Sequence, residues 1–142
     1  MPTAMPRTSS ASRPARPSTS PSDFDASDAQ VDEVVVPFFQ GVASAFEREG
    51  AGQPGYRIGV YGSGLVCRRL VDGKIVEFAW LALSRGWRET QAFDASGAWV
   101  LKQTRETELC GLRVDFDEPN PANAPFGAFV PEVTSPRPEN LV

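Results

Sequence analysis

Tyr56-Arg57-Ile58-Gly59-Val60-Tyr61, closed by Gly62-Ser63-Gly64, is the stretch on which the fold turns. It is short, rich in β-branched and aromatic residues and bounded by turn residues, which predicts a buried strand. Its flanks decide what kind of sheet it joins. Upstream, Val31, Val34, Val35, Phe38, Val42, Ala45 and Phe46 recur at helical spacing and form a stripe wide enough to cover a sheet. Ser27 followed by Gln30 has the pattern of a capping box, so a helix is predicted over residues 28–49, with a kink or break at Pro37. Downstream, residues 65–70 read as a short helix and residues 76–82 as a strand. A polar loop containing Trp87 follows, then strands at residues 98–103 and 111–117. Together with a strand ending at Asp25, this order predicts an α/β fold whose parallel sheet is built through crossovers.

The first 22 residues are unlike the rest, containing only Met, Pro, Thr, Ala, Arg and Ser. Such a stretch offers no apolar face to offset the entropy of ordering it, so residues 1–22 are expected to be a disordered tail. All 18 acidic residues lie beyond it, whereas Arg7, Arg13 and Arg16 lie within it, so the remainder is more acidic than the whole-chain charge of −4. An acidic surface without a basic stripe argues against nucleic acid as a partner. No window approaches the 18 apolar residues of a membrane span, and no apolar segment of signal-peptide type follows the start. Cys67 and Cys110 stand 43 positions apart in a chain without histidine. No metal site and no cofactor is expected from them, and both read as small buried hydrophobes. Gly59-x-x-Gly62-x-Gly64 is explained by a strand-ending turn better than by a phosphate cradle.

Asp23-Phe24-Asp25 and Asp115-Phe116-Asp117 each set two carboxylates at i and i+2. In a strand these share one face while the phenylalanine packs on the other. Paired acids at the C-terminal end of a strand suit glycoside hydrolysis, where one carboxyl keeps its proton for the leaving oxygen while another stays ionised. Either motif alone also fits a solvated strand end, and Trp80 and Trp99 also fit ordinary packing.

The ordered set Asp23-Phe24-Asp25, Gly59-Val60-Tyr61, Trp80-Leu81-Ala82, Trp99 with Gln103, and Val114-Asp115-Phe116-Asp117 resembles the successive strand motifs of family 25 lysozymes and their glycoside-hydrolase-like barrel relatives. The resemblance implies the C-terminal portion of a (β/α)8 TIM-type barrel over residues 23–130, with about five parallel strands and a flexible tail over residues 131–142. It gives Asp25 the place of the general acid and Asp23 that of its partner. Tyr61, Trp80, Gln103, Asp115 and Asp117 would line a cleft for polysaccharide or peptidoglycan, and Phe24 and Phe116 would point into the helix layer. It also suggests a secreted or cell-wall-associated setting. The lysozymes carry Glu where this chain has Asp25, and a complete barrel needs eight strands and about 250 residues. Weak or absent hydrolysis is therefore expected, the alternative being a non-catalytic carbohydrate-binding or interaction module. One codon choice for residues 16–22, read two bases later, encodes Ala-Val-Tyr-Phe-Ala-Val, so the tail is hypothesised to be a frameshifted strand. Sequencing the upstream DNA tests that idea, and the absence of any single-base shift that yields an apolar strand would end it.

Overall fold

The computed structural model describes residues 17–21, 24–49 and 57–123. The chain is mixed α/β, with one open and mostly parallel sheet. Its strands are β1 (Pro17–Pro21), β2 (Arg57–Gly62), β3 (Phe78–Leu81), β4 (Leu101–Leu109) and β5 (Leu112–Pro119), arranged in sequence order. The first three pairings are parallel and the last, β4 with β5, is antiparallel.

The helices are α1 (Asp28–Gln30), α2 (Val36–Glu49), α3 (Gly64–Asp72) and α4 (Thr90–Ser96), and a π turn over Val31–Val35 joins α1 to α2. Helix therefore runs without interruption from Asp28 to Glu49, as the apolar stripe predicts. It begins on the capping box: the Ser27 hydroxyl accepts from the Gln30 N–H, and the Gln30 side chain accepts from the Ser27 N–H at 2.9 Å. Helical structure passes through Pro37. The Val36 N–H reaches back to the Val31 carbonyl in the wider π pattern, and this loosens the turn just before the residue that has no N–H to give.

One face of the sheet is covered by helices. Val60, Ala79 and Leu81 meet Val31, Val35 and Phe39 of the long helix, Leu65, Val66 and Leu70 of α3, and Phe93 of α4 in a single buried cluster. Alternation places Arg57, Tyr61, Phe78 and Trp80 on the opposite face. The Arg57 guanidinium lies 4.1 Å from the Phe78 ring centre, and the Tyr61 and Trp80 rings meet edge to face at 5.1 Å.

The structure departs from the sequence-based expectations at several points. Residues 17–21 form edge strand β1 rather than an unstructured tail, and residues 1–16 and 22–23 lie outside the described residues. Pairing to β2 uses backbone groups, and an edge position tolerates the prolines at both ends of β1. Asp25 lies beyond that strand, in a tight turn where the Ala26 N–H bonds the Phe24 carbonyl at 3.0 Å. The i, i+2 argument for Asp23 and Asp25 therefore does not apply, and Phe24 is exposed rather than packed into the helix layer. The loop around Trp87 leads into α4, which the sequence reading misses. Finally, β5 is antiparallel: Cys110 and Gly111, with φ of 50° and 81°, form a two-residue hairpin turn of the kind that requires positive φ at both positions.

The hairpin is closed at its base by Asn120. Its side-chain amide donates to the carbonyls of Gly97 at 2.8 Å and Trp99 at 3.0 Å, and its Oδ1 accepts from the Ala122 N–H at 3.0 Å. Asn123 donates to the same two carbonyls, at 2.9 and 2.8 Å, so Asn120→Ala removes one of two donors and the acceptor for Ala122 and is expected to cost about 0.5–1.5 kcal/mol, read as a lowered urea midpoint with an unchanged m-value.

Cys67 on α3 is buried and offers its thiol to the Gly62 carbonyl at 3.6 Å. Burial pushes its pKa from 9.0 up to about 12. A raised folded-state pKa means that the associated stability is complete below pH 9.0 and is lost progressively as the pH climbs toward 12. Cys110 is exposed at the hairpin turn rather than buried as expected, so a disulfide reagent near neutral pH should label it and spare Cys67 until the chain is unfolded. Alkaline destabilisation above pH 9.0 should be smaller in Cys67→Ala than in the parent.

Candidate functional site

The parallel strands β1 to β4 bring their C-terminal ends to one end of the sheet, and three loops meet there. Asp25 follows β1, Ser63 and Gly64 follow β2, and residues 82–89 follow β3. Ser63 is the N-cap of α3, its hydroxyl accepting from the Val66 N–H. Gly64 bonds the Thr90 hydroxyl oxygen through its N–H at 3.0 Å, and the Leu65 N–H donates to the Arg88 carbonyl at 2.9 Å. A Cβ on Gly64 would lie 2.2 Å from the Glu89 carbonyl oxygen and 2.6 Å from the Thr90 Cα. The loop after β3 can thus approach the start of α3 only because residue 64 has no side chain. Asp25 ties the same loop from the other side, its Oδ1 accepting from the Arg88 N–H at 2.8 Å.

Four of the residues singled out in the sequence are joined on the helix-free face. The Tyr61 hydroxyl donates to Gln103 Oε1 at 2.9 Å, and the Trp80 indole N–H donates to Asp117 Oδ1 at 2.7 Å. The edge-to-face packing of the two rings links the pairs. Gln103 Oε1 also accepts from the Leu83 N–H at 3.1 Å. The side-chain contacts therefore run from Gln103 to Tyr61, from Tyr61 to Trp80 and from Trp80 to Asp117, joining four strands into one row. Tyr61 and Trp80 are half-buried, Gln103 is buried and Asp117 is exposed, which suits a surface that meets a polar ligand with aromatic edges.

The remaining sequence candidates are placed differently. Asp23 lies outside the described residues. Asp25 sits at the same end of the sheet as the row, bonded to the loop rather than to any member of the row. Asp115 is paired opposite Glu106, farther out on the hairpin than Asp117, which is opposite Gln103. Phe116 lies on the hairpin under the Arg105 guanidinium, 4.2 Å from its ring centre, rather than in the helix layer. Trp99 is buried, its indole N–H on the Asp94 carbonyl at 3.1 Å and the Lys102 ammonium 4.5 Å from its ring centre, as ordinary packing of that residue requires.

Sequence reasoning missed Asp94, Lys102 and Thr90. They surround a cavity of about 380 Å³ beyond the end of β3, bordered also by Leu81, Arg85, Gln103 and Glu118. Lys102 bonds Asp94 at 2.9 Å and Arg85 approaches the same carboxylate at 3.8 Å. The one signal for α4 was Gly97, whose φ of 68° closes the helix in the left-handed form.

Gly64→Ala should force the loop off α3 and cost about 1–3 kcal/mol, measured by thermal unfolding. Trp80→Phe retains the ring packing but removes the donor to Asp117. It should cost about 0.5–1.5 kcal/mol and raise hydrogen-exchange rates along β5 while leaving β2 protected.

The model of the Rv2525c-like, glycoside hydrolase-like domain family matches residues 19–124. The uncharacterized protein YbfG of Bacillus subtilis is 31% identical over 87 residues, which span 59% of this chain and 12% of that protein. No solved structure matches the chain. The chain belongs to the Rv2525c-like, glycoside hydrolase-like domain family.

Proposed function

We propose that this glycoside hydrolase-like domain binds a polysaccharide, peptidoglycan or a related cell-wall glycan being the preferred class, and that the binding surface is the row Tyr61, Trp80, Gln103 and Asp117. The observation that carries the reading is the Tyr61–Trp80 edge-to-face pair with its polar atoms already fixed by Gln103 and Asp117. Half-exposed aromatic rings give sugar C–H faces something to pack on, and the carboxylate and amide at their edges meet hydroxyls with preset geometry. In this reading the sheet is a section of a (β/α)8 barrel, its helix-free face is the inner one, and the ligand enters at the C-terminal ends of the strands.

Binding is favoured over hydrolysis. Asp25 already spends one oxygen on the Arg88 N–H, and it is one methylene shorter than the glutamate that the lysozyme resemblance calls for. Asp117 spends one on the Trp80 indole. If Asp25 nevertheless serves as an acid, Asp25→Asn should abolish release of reducing sugar from the glycan.

Retention on insoluble peptidoglycan, together with tryptophan fluorescence during titration with soluble chitotetraose, tests the proposal. Trp80→Ala should weaken retention by at least about tenfold, the loss of one well-placed aromatic contact. Equal retention of the parent and Trp80→Ala, with no fluorescence change, would refute it.

A further inference from the structure

The cavity beyond the end of β3 contains two buried side chains whose hydrogen-bonding capacity is only half used. Gln103, 8% exposed, accepts twice through Oε1, from Tyr61 and from Leu83. The Leu83 backbone N–H is a donor only, so the amide oxygen must face it and the orientation of the Gln103 side chain is fixed. Its NH2 group then turns away, and among the described residues it meets no acceptor. Thr90, 2% exposed, accepts the Gly64 N–H through its hydroxyl oxygen, and its own hydroxyl proton likewise meets no acceptor among the described residues. Both residues line the same cavity of about 380 Å³.

Buried donors without acceptors are costly, each by about 1–3 kcal/mol, and each one in a native protein calls for a physical explanation, an ordered water or another bound acceptor among them. The two come from different elements, Thr90 from the start of α4 and Gln103 from β4, so one accident of packing does not explain both. The charged side chains of the lining cancel: Arg85 and Lys102 stand against Asp94 and Glu118, and both cations are already engaged with Asp94. A phosphate or a free carboxylate gains no net attraction there. What the lining offers is donors to an uncharged oxygen that accepts two hydrogen bonds, which is the chemistry of an amide carbonyl.

We propose that this cavity is a subsite for the carbonyl oxygen of a neutral acyl-amide group, held between Gln103 Nε2 and the Thr90 hydroxyl. The identity of the ligand as an N-acylated sugar rests on the saccharide reading above, because Gln103 is the wall shared by this cavity and the Tyr61–Trp80 row. The carbonyl preference itself rests only on the two donors.

The test is nitrogen-15 NMR of the full chain titrated separately with acetamide, N-acetylglucosamine and glucose. Acetamide and N-acetylglucosamine should shift the Gln103 side-chain amide and the Thr90 backbone amide, and glucose should leave them in place. Gln103→Glu keeps an acceptor for Tyr61 and Leu83 but replaces the donor with an oxygen, so it should weaken the acetamide response at least about tenfold. Shifts at Gln103 and Thr90 that are equal for glucose and acetamide would overturn the carbonyl preference. Sugars that shift the Trp80 indole while no probe moves Gln103 or Thr90 would overturn the subsite and leave the saccharide reading intact. Acetamide acting at Gln103 and Thr90 while no sugar reaches Trp80 would uphold the subsite and end the saccharide reading.

Discussion

The contact between Gly64 and the backbone of Glu89 and Thr90 organises everything at the C-terminal end of the sheet. It is a close approach of main chain to main chain, sealed by the Gly64 and Leu65 N–H groups and braced from the other side by Asp25. Because the loop after β3 is held there, Leu83 reaches Gln103, and Gln103 is oriented by that bond and by Tyr61. Thr90 serves twice: its oxygen satisfies the first orphan N–H of α3, and its Cα is among the atoms a side chain at position 64 would strike. A helix start is normally capped by its own preceding residue. Here Ser63 does that for Val66 while a residue from another element serves Gly64, so the cap also joins α3 to α4.

Much of this was legible where local chemistry decides the outcome. Ser27 and Gln30 announce a helix start in four residues, and the structure forms both of the bonds they promise. Strand β2 and helix α3 follow from an apolar run and the Gly-Ser-Gly that ends it. Where tertiary partners decide, the sequence was silent or misleading. Glu89 precedes α4 with a left-handed φ of 56° and no side-chain cap, so nothing at that point advertises a helix. Pro17–Pro21 lacks the apolar alternation of a strand, yet it pairs through its backbone along the edge of β2. The antiparallel turn at Cys110-Gly111 hides behind a cysteine, a residue seldom used where both turn positions need positive φ.

The candidate site was legible in the same uneven way. The strand motifs did identify residues that meet: Tyr61, Trp80, Gln103 and Asp117 come from four strands and touch in a row. The two Asp-Phe-Asp motifs, which look alike in sequence, fare differently. Asp117 lies within a ladder and faces Trp80, whereas Asp25 has left its strand and serves a loop. Carboxylates at i and i+2 share a face only if the chain is extended through both, and spacing alone does not report where the strand stops.

The hairpin of β4 and β5 has a consequence for how the domain can be joined to anything else. A parallel strand in the last position would deliver the chain to the far end of β4. The reversed strand instead carries it back to the start of β4, where Asn120 and Asn123 anchor it to the Gly97 and Trp99 carbonyls. Through the register, Pro119 stands level with Leu101 and Trp80, so β5 returns the chain from the hairpin tip to the level of the Tyr61–Trp80 pair. A neighbour attached through residue 123 would therefore start beside the Gly97 and Trp99 carbonyls, near the middle of the sheet and away from the projecting turn at Cys110 and Gly111.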